Sequence, residues 1–348
     1  MGRRERGGLG GPWGHDQEQA LSDSSPAHHE PGGDGGVYLG LDVGGTKCGA
    51  VVGRASGELL ERVHWATEAG RGPEAVIGEL VCQGRALCAR FGPIRRVGVA
   101  IGGPLDARTG VIQCPPHLPG WEQIALAERL REAFGLPVRV EHDAAACALA
   151  EWRWGAGRGG GSLAYLTCGT GFGLGLVLQG RAYYGADGQP PDIGVWPLVA
   201  DGPVARGRAG SAEAMCSGSG LPALASWCVP ERWGEQGPTP QRLAALLADG
   251  DADAEAVVQA NAAATGQVAA RLEELLHPER ILLGSLARHF GPAWVGWVQA
   301  SFQRQVHREA FSGCEVVQAG LGDRLQDLSA LVAATSCPPG TSDPQGVS

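Results

Sequence analysis

Lysine is almost missing from this chain. A single Lys, Lys47, stands against 27 Arg in 348 residues. Such a bias reflects a GC-rich genome more than mechanism, yet it draws attention to the one loop that kept its Lys. Positive charge is scarce altogether: 28 Lys and Arg against 37 Asp and Glu leave a formal net charge of -9. An acidic chain without a basic patch does not read as a dedicated binder of nucleic acid or anionic lipid. No apolar run has the length of a membrane-spanning helix. The N-terminus is charged, then Gly-rich and polar, without the apolar stretch of a secretory signal, so a cytoplasmic protein is expected. None of the ten cysteines forms a CxxC pair. Several fall inside predicted strands and helices, where a reduced Cys behaves as a small apolar residue.

What remains is ordinary globular composition, 43% hydrophobic and 19% charged, with 57 glycines. The length suits one large domain or two of average size, and a core of that size needs no disulfide or metal staple. Residues 1–36 are rich in Gly, Pro, Ser, His and charge, and the segment from Cys337 to Ser348 reads the same way. Both are expected to be disordered tails, because they cannot bury enough surface to offset ordering entropy. The body spans about 37–336.

That body reads as strand, glycine turn, strand, then a third strand over GELLERVHWAT. A helix follows over 73–92, a buried strand over RRVGVAIGG, a helix over 121–135 and a strand over LPVRVEHD. An Ala-rich helix begins beside Asp143. The second half repeats the opening: the buried strand SLAYLTC meets a glycine turn and a returning strand. Helices are predicted at about 211–227, 239–249, 252–276 and 292–307, with strands at ERILLGS and EVVQAG and a closing helix over 323–335. The order predicts an α/β fold of two lobes, each opening with strand, glycine turn and strand, and a cleft between them. The lobes are expected at 37–140 and 141–322, with the closing helix packing back on the first.

Four segments could carry chemistry. Asp42-Val43-Gly44-Gly45-Thr46-Lys47 follows a strand. Its glycines let backbone N–H groups approach phosphate oxygens, Thr46 and Lys47 add a hydroxyl and a charge, and Asp42 could hold Mg²⁺. A plain hairpin turn explains the same residues. Gly169-Thr170-Gly171-Phe172-Gly173 repeats the pattern in the second half. Glu141-His142-Asp143 ends a strand and starts a helix, where Asp143 either takes a proton from a substrate hydroxyl or simply caps the helix. Leu282-Leu283-Gly284-Ser285 ends another strand, either as a nucleotide-binding turn or as a plain strand-to-helix turn.

Together, in this order, these segments resemble the ROK family of sugar kinases and sugar-responsive repressors, within the actin-like ATPase (ribonuclease H-like) superfamily. LDVGGTK is similar to the family's first phosphate loop and LTCGTGFGLGLVLQGR to the second. GVAIGGPLDARTGVI resembles the substrate loop, with Gly102 in place of a usual Pro and Gly103 beside it. PPHLPGW and EHDAAACALAE resemble the pNlxgW and ENDANxxxLGE segments. The resemblance covers about Val37 to Ala334. It implies a glucokinase-like phosphotransferase using ATP and Mg²⁺, with Asp143 as general base. Asp42, Gly44, Gly45, Thr46, Lys47, Gly169, Thr170, Gly171 and Gly284 would be nucleotide and phosphate residues, and a homodimer would be possible.

The sequence also departs from the family. His117 stands for a sugar-contacting Asn, His142 for the Asn before the catalytic Asp, and Ala145 for the Asn after it. Asp192 stands for the Glu of the GEiGH segment and Val195 for its zinc-binding His. Val204, Arg206 and Ser211 occupy the three Cys positions of the CxCGxxGCLE segment. No thiolate remains, so no structural zinc is expected. Glu213 is kept where the family binds sugar. The resemblance thus implies a kinase with altered sugar choice, His117, His142, Asp192 and Glu213 facing the sugar. The competing expectation is a non-catalytic sugar sensor. A DNA-binding repressor is not expected, because the 36 residues ahead of the body are too few and too rich in Gly and Pro for a helix-turn-helix domain. The scattered cysteines also speak against an activator ATPase with an Fe–S cluster.

Overall fold

The computed structural model describes residues 35–307 and 313–336. The expected tails lie outside the described residues, except for Gly35 and Gly36. Strand β1 (Val37–Val43) turns through Gly44–Thr46 into β2 (Lys47–Arg54), and β3 (Leu59–Ala66) follows. Helix α1 (Pro73–Phe91) starts with Pro at its first position, where a missing N–H costs nothing. Next come β4 (Ile94–Ile101) and the short strands β5 (Leu105–Asp106), β6 (Val111–Ile112) and β7 (Ile124–Ala125). Helix α2 (Leu126–Phe134) and β8 (Val138–His142) complete this half. The first sheet runs β3-β2-β1-β4-β8. β1, β4 and β8 are parallel; β2 and β3 are antiparallel.

Helix α3 (Asp143–Trp154) leads to the second sheet. Strands β9 (Ser162–Leu166), β10 (Leu174–Leu178) and β11 (Arg181–Ala182) form its antiparallel part. A hairpin of β12 (Val204–Ala205) and β13 (Arg208–Ala209) precedes α4 (Ala212–Cys216), α5 (Leu221–Cys228), α6 (Pro230–Trp233), α7 (Pro240–Ala248) and α8 (Ala252–Leu276). β14 (Arg280–Leu283), α9 (Ser285–Phe290), α10 (Pro292–Gln305), β15 (Glu315–Gln318) and α11 (Leu325–Thr335) close the chain. The second sheet runs β11-β10-β9-β14-β15, with β9, β14 and β15 parallel.

Each sheet therefore opens with the same device, a strand that meets a glycine turn and returns antiparallel. Each has its own core. Leu39, Leu41, Leu80, Val97, Val99 and Leu130 fill the first, and Leu166, Leu176, Val257, Val268, Ile281 and Trp294 the second. A third cluster joins them. Val51 and Ala100 from the first sheet and Tyr165 and Leu282 from the second pack with Ala148 of α3 and Leu331 of α11. Five alanines of α3 are buried, and their small side chains let the helix lie close to its neighbours.

Two expected helices differ. Only Leu126–Phe134 of the 121–135 segment is helical. Trp121 is wholly buried, Gln123 adopts φ 55°, and Ile124–Ala125 pairs with β6 instead. The 211–227 segment is broken at Ser217-Gly218-Ser219-Gly220 into α4 and α5, because the break binds the second glycine turn.

Candidate nucleotide and sugar site

The first glycine turn is closed by Gly44 N–H donating to Lys47 O at 3.1 Å. Thr67 buttresses it from β3's end, its hydroxyl donating to Gly44 O at 2.6 Å and its N–H to Thr46 O at 3.0 Å. Gly45 is required by a close approach. A Cβ there would stand 2.6 Å from His117 Cβ and 2.9 Å from His117 O. The turn and the expected sugar residue His117 are thus in contact. Thr46, Lys47 and His117 are exposed.

The second turn is held more tightly. Gly169 N–H donates to Gly171 O, and Thr167 both receives from Gly173 N–H and donates its own N–H to Gly173 O. From the break between α4 and α5, Gly218 N–H donates to Gly169 O at 2.7 Å and Ser219 N–H to Thr170 O at 3.2 Å. Among the described residues, the N–H groups of Gly45, Thr46, Thr170 and Gly171 have no hydrogen-bond acceptor in the protein. Unpaired N–H groups in glycine turns make an anion-binding surface. Beside the second turn lies a cavity of about 580 Å³, lined by Gly169, Thr170, Ser219, Gln241, Ser285 and His289 among others. That volume is of the size that takes a nucleoside, within the ~300–1,000 Å³ of small-molecule sites. Gly284 immediately precedes the lining residue Ser285, packed so closely that a Cβ would collide with Thr167 O just past β9.

Asp143 is the first residue of α3, not its cap. The cap is His142, whose Nδ1 accepts from Ala144 N–H at 3.3 Å. Asp143 Oδ1 accepts from the same N–H at 2.6 Å. Oδ2 is turned toward Gly102, whose Cβ, if present, would stand 3.7 Å away. The Asp143 side chain is half exposed (53%), so this carboxylate can reach a substrate. With Nδ1 accepting, the neutral His142 ring carries its proton on Nε2, which faces Gly103. Behind these residues Glu141 is fully buried and bonds the Arg139 guanidinium and the Tyr184 hydroxyl. Burial and the Glu141 charge push the Tyr184 phenol well above its ordinary range, so it stays a donor.

Asp42, at the end of β1, is pushed up to about 7, mainly by burial and then by the charges of Asp143 and Asp327, with Lys47 opposing. A partly buried carboxyl that resists ionisation beside other carboxylates suits a cation. Mg²⁺ needs only one or two carboxylates when phosphates complete its shell. Asp42 fits that requirement. Among the described residues no group of three or more His, Cys, Asp or Glu side chains is arranged to hold a metal by itself.

The other expected sugar residues form a second group. Glu213 Oε2 accepts from Phe172 N–H at 3.2 Å, against the second turn. Asp192 Oδ1 accepts from Gly194 N–H at 3.2 Å, and Gly194 O accepts from Glu213 N–H at 2.9 Å. Ser211 caps α4 through its hydroxyl, Val204 is exposed, and Arg206 pairs with Asp192.

A sequence profile of the ROK family matches residues 38–334. The chain belongs to the ROK family. It is 28% identical over 304 residues to a glucokinase of Halalkalibacterium halodurans, covering 82% of this chain and 91% of that one. It is 31% identical over 194 residues to an N-acetylmannosamine kinase of Shigella flexneri, covering 54% and 64%. The fold is similar to a ROK hexokinase from Thermus thermophilus, at TM-score 0.76 and 31% identity over 86% of this chain and 98% of that one. A ROK glucokinase from Streptomyces griseus, solved with glucose and AMPPNP, is similar at TM-score 0.72 and 25% identity over 86% and 99%. These neighbours give this ROK chain the two-lobed actin-like ATPase architecture.

Sequence reasoning missed Ser219, Gln241 and His289 at the cavity and Tyr184 behind His142. The SGSG run at 217–220 was the available signal for the first, since two glycines interrupt a helical pattern there. Nothing local marks the others; distant chain segments bring them in.

Proposed function

We propose that this ROK-family sugar kinase moves the terminal phosphoryl group of ATP onto a hexose or N-acetylhexosamine hydroxyl, with Asp143 as general base. The observation that carries the reading is the Asp143 carboxyl. One oxygen is fixed by Ala144 N–H and the other is open toward Gly102, at the start of a helix packed between both sheets. Asp143 Oδ2 accepts the hydroxyl proton, the freed oxygen attacks the terminal phosphorus, and the bond to ADP breaks. The unpaired N–H groups of Gly45, Thr46, Thr170 and Gly171 receive phosphate oxygens, and Lys47 adds positive charge. Phosphoryl transfer asks mainly for such positioning and charge stabilisation. Mg²⁺, when bound, would be held by Asp42 and would neutralise phosphate charge. The nucleoside lies in the cavity lined by Ser219 and Ser285, with Gly284 next to it in sequence. On the sugar side, His142 presents an Nε2–H donor while its other nitrogen caps α3, so one ring does both tasks of a side-chain amide. His117 and Glu213 complete the sugar contacts, with a hydrogen-bond pattern changed from two amides to two imidazoles. Altered sugar choice follows from that change.

The test is ADP release with Mg-ATP over a panel of hexoses and N-acetylhexosamines. Sugar-dependent release with at least one of them is expected. Sugar binding by calorimetry without turnover would replace the kinase with a sensor.

A further inference from the structure

The β12–β13 hairpin carries an Arg where its backbone disfavours one. Ala205 pairs with Arg208, which leaves Arg206 and Gly207 as a two-residue turn. Both have positive φ, 49° and 73°. Such turns select Asn, Asp or Gly, and an ordinary side chain at the first position is strained. The strained residue makes a specific contact. Its guanidinium faces the Asp192 carboxylate as a fork, Nη1 to Oδ1 at 3.2 Å and Nη2 to Oδ2 at 3.1 Å. The same Asp192 Oδ1 accepts Gly194 N–H, Gly194 O accepts Glu213 N–H, and Glu213 Oε2 accepts Phe172 N–H in the second glycine turn. The hairpin is also anchored at its base, with Gly210 O accepting from Leu198 and Val199 N–H and Gly210 N–H donating to Pro203 O. A rigid arm therefore holds a guanidinium over the segment that leads to Glu213.

Arg206 and Asp192 are each about half exposed (52% and 50%), and a pair that open adds little to folding stability. Its consequence is placement. We propose that Arg206 is a positioning residue: through Asp192 and Gly194 it fixes Glu213 for the sugar, reaching the nucleotide side only by the one Glu213–Phe172 contact. The inference rests on the sugar-kinase reading for the identity of the ligand.

The experiment compares Arg206→Ala, Arg206→Lys, Asp192→Asn and the Arg206→Ala/Asp192→Asn double variant, using the sugar that the wild type turns over best. Arg206→Ala is expected to raise the sugar KM about five- to tenfold, with kcat and the ATP KM within about twofold and thermal unfolding essentially unmoved, since the pair is exposed. Arg206→Lys restores part of the loss, because an ammonium keeps the charge but not the fork. The double variant is no worse than the worse single one, the mark of two residues acting through one contact. An unchanged sugar KM in Arg206→Ala, additive losses in the double variant, or equal rises in both KM values would overturn the proposal. A wild type that turns over no sugar would overturn the kinase reading instead. Calorimetric sugar affinities of the same variants then decide the positioning role, and a chain that binds no sugar overturns that role too.

Discussion

At the scale of single residues, Asp42 shows how a site is prepared at the expense of stability. Its carboxyl titrates near 7 in the folded chain because burial, Asp143 and Asp327 all oppose its charge. In the unfolded chain an Asp titrates near ~4. The folded state therefore holds the extra proton between about pH 4 and 7, and ligand-free stability falls as pH rises through that window. Asp42→Asn removes the dependence. It should abolish Mg-ATP turnover yet leave the ligand-free protein more stable than wild type by up to about 4 kcal/mol at pH 8, with most of the difference gone near pH 4. Urea unfolding of both proteins at the two pH values checks this, and equal stability at pH 8 would refute the electrostatic account. His142 makes a second point at this scale. Its identity as a departure was legible in the sequence, but its role as cap was not. Sequence alone put Asp143 in competition for that role; in the structure the two share the Ala144 N–H, His142 Nδ1 at 3.3 Å and Asp143 Oδ1 at 2.6 Å, while Asp143 Oδ2 turns toward Gly102.

At the scale of elements, α3 is the piece on which the site depends. Its far end is fastened by Glu151, which is fully buried and accepts N–H groups from Ala156 at 2.8 Å, Gly320 at 3.0 Å and Leu321 at 2.9 Å. Those last two residues stand between β15 and α11, so one carboxylate ties two helices and a sheet edge together. Glu151→Gln turns an acceptor into a donor against buried N–H groups, and should cost about 2–4 kcal/mol. A fall in thermal unfolding temperature with near-unchanged KM values in the folded protein is expected; equal stability would show the contact to be idle. Both glycine turns and the strands leading into them were legible, because buried apolar runs ending in Gly have few other readings. The start of α2 and the break between α4 and α5 were not. In each case a tertiary demand, burial of Trp121 or docking of Gly218 and Ser219 on the second turn, overrides a helical pattern.

At the scale of the whole molecule, two sheets that each carry a glycine turn share α3 and α11 as a common layer. The third hydrophobic cluster is the physical form of that sharing, and it packs Ala146, Ala148 and Ala150 of α3 with strand residues of both. No described residue set calls for zinc: Val195 and Val204 are apolar, Arg206 is cationic, and Ser211 caps a helix. Treatment with a strong zinc chelator, followed by restored Mg²⁺, should leave thermal unfolding and turnover unchanged. A drop in unfolding temperature that zinc reverses would contradict this. Among the described residues no helix is long and apolar enough to cross a membrane.

The account converges on the open oxygen of Asp143, and the most direct measurement is sugar-dependent ADP release by Asp143→Asn beside wild type, with sugar affinity read in parallel. The substitution keeps the shape and removes the base. A loss in kcat of about 10²–10⁴ is predicted, with the sugar dissociation constant within about threefold. Turnover at the wild-type rate would contradict the assignment.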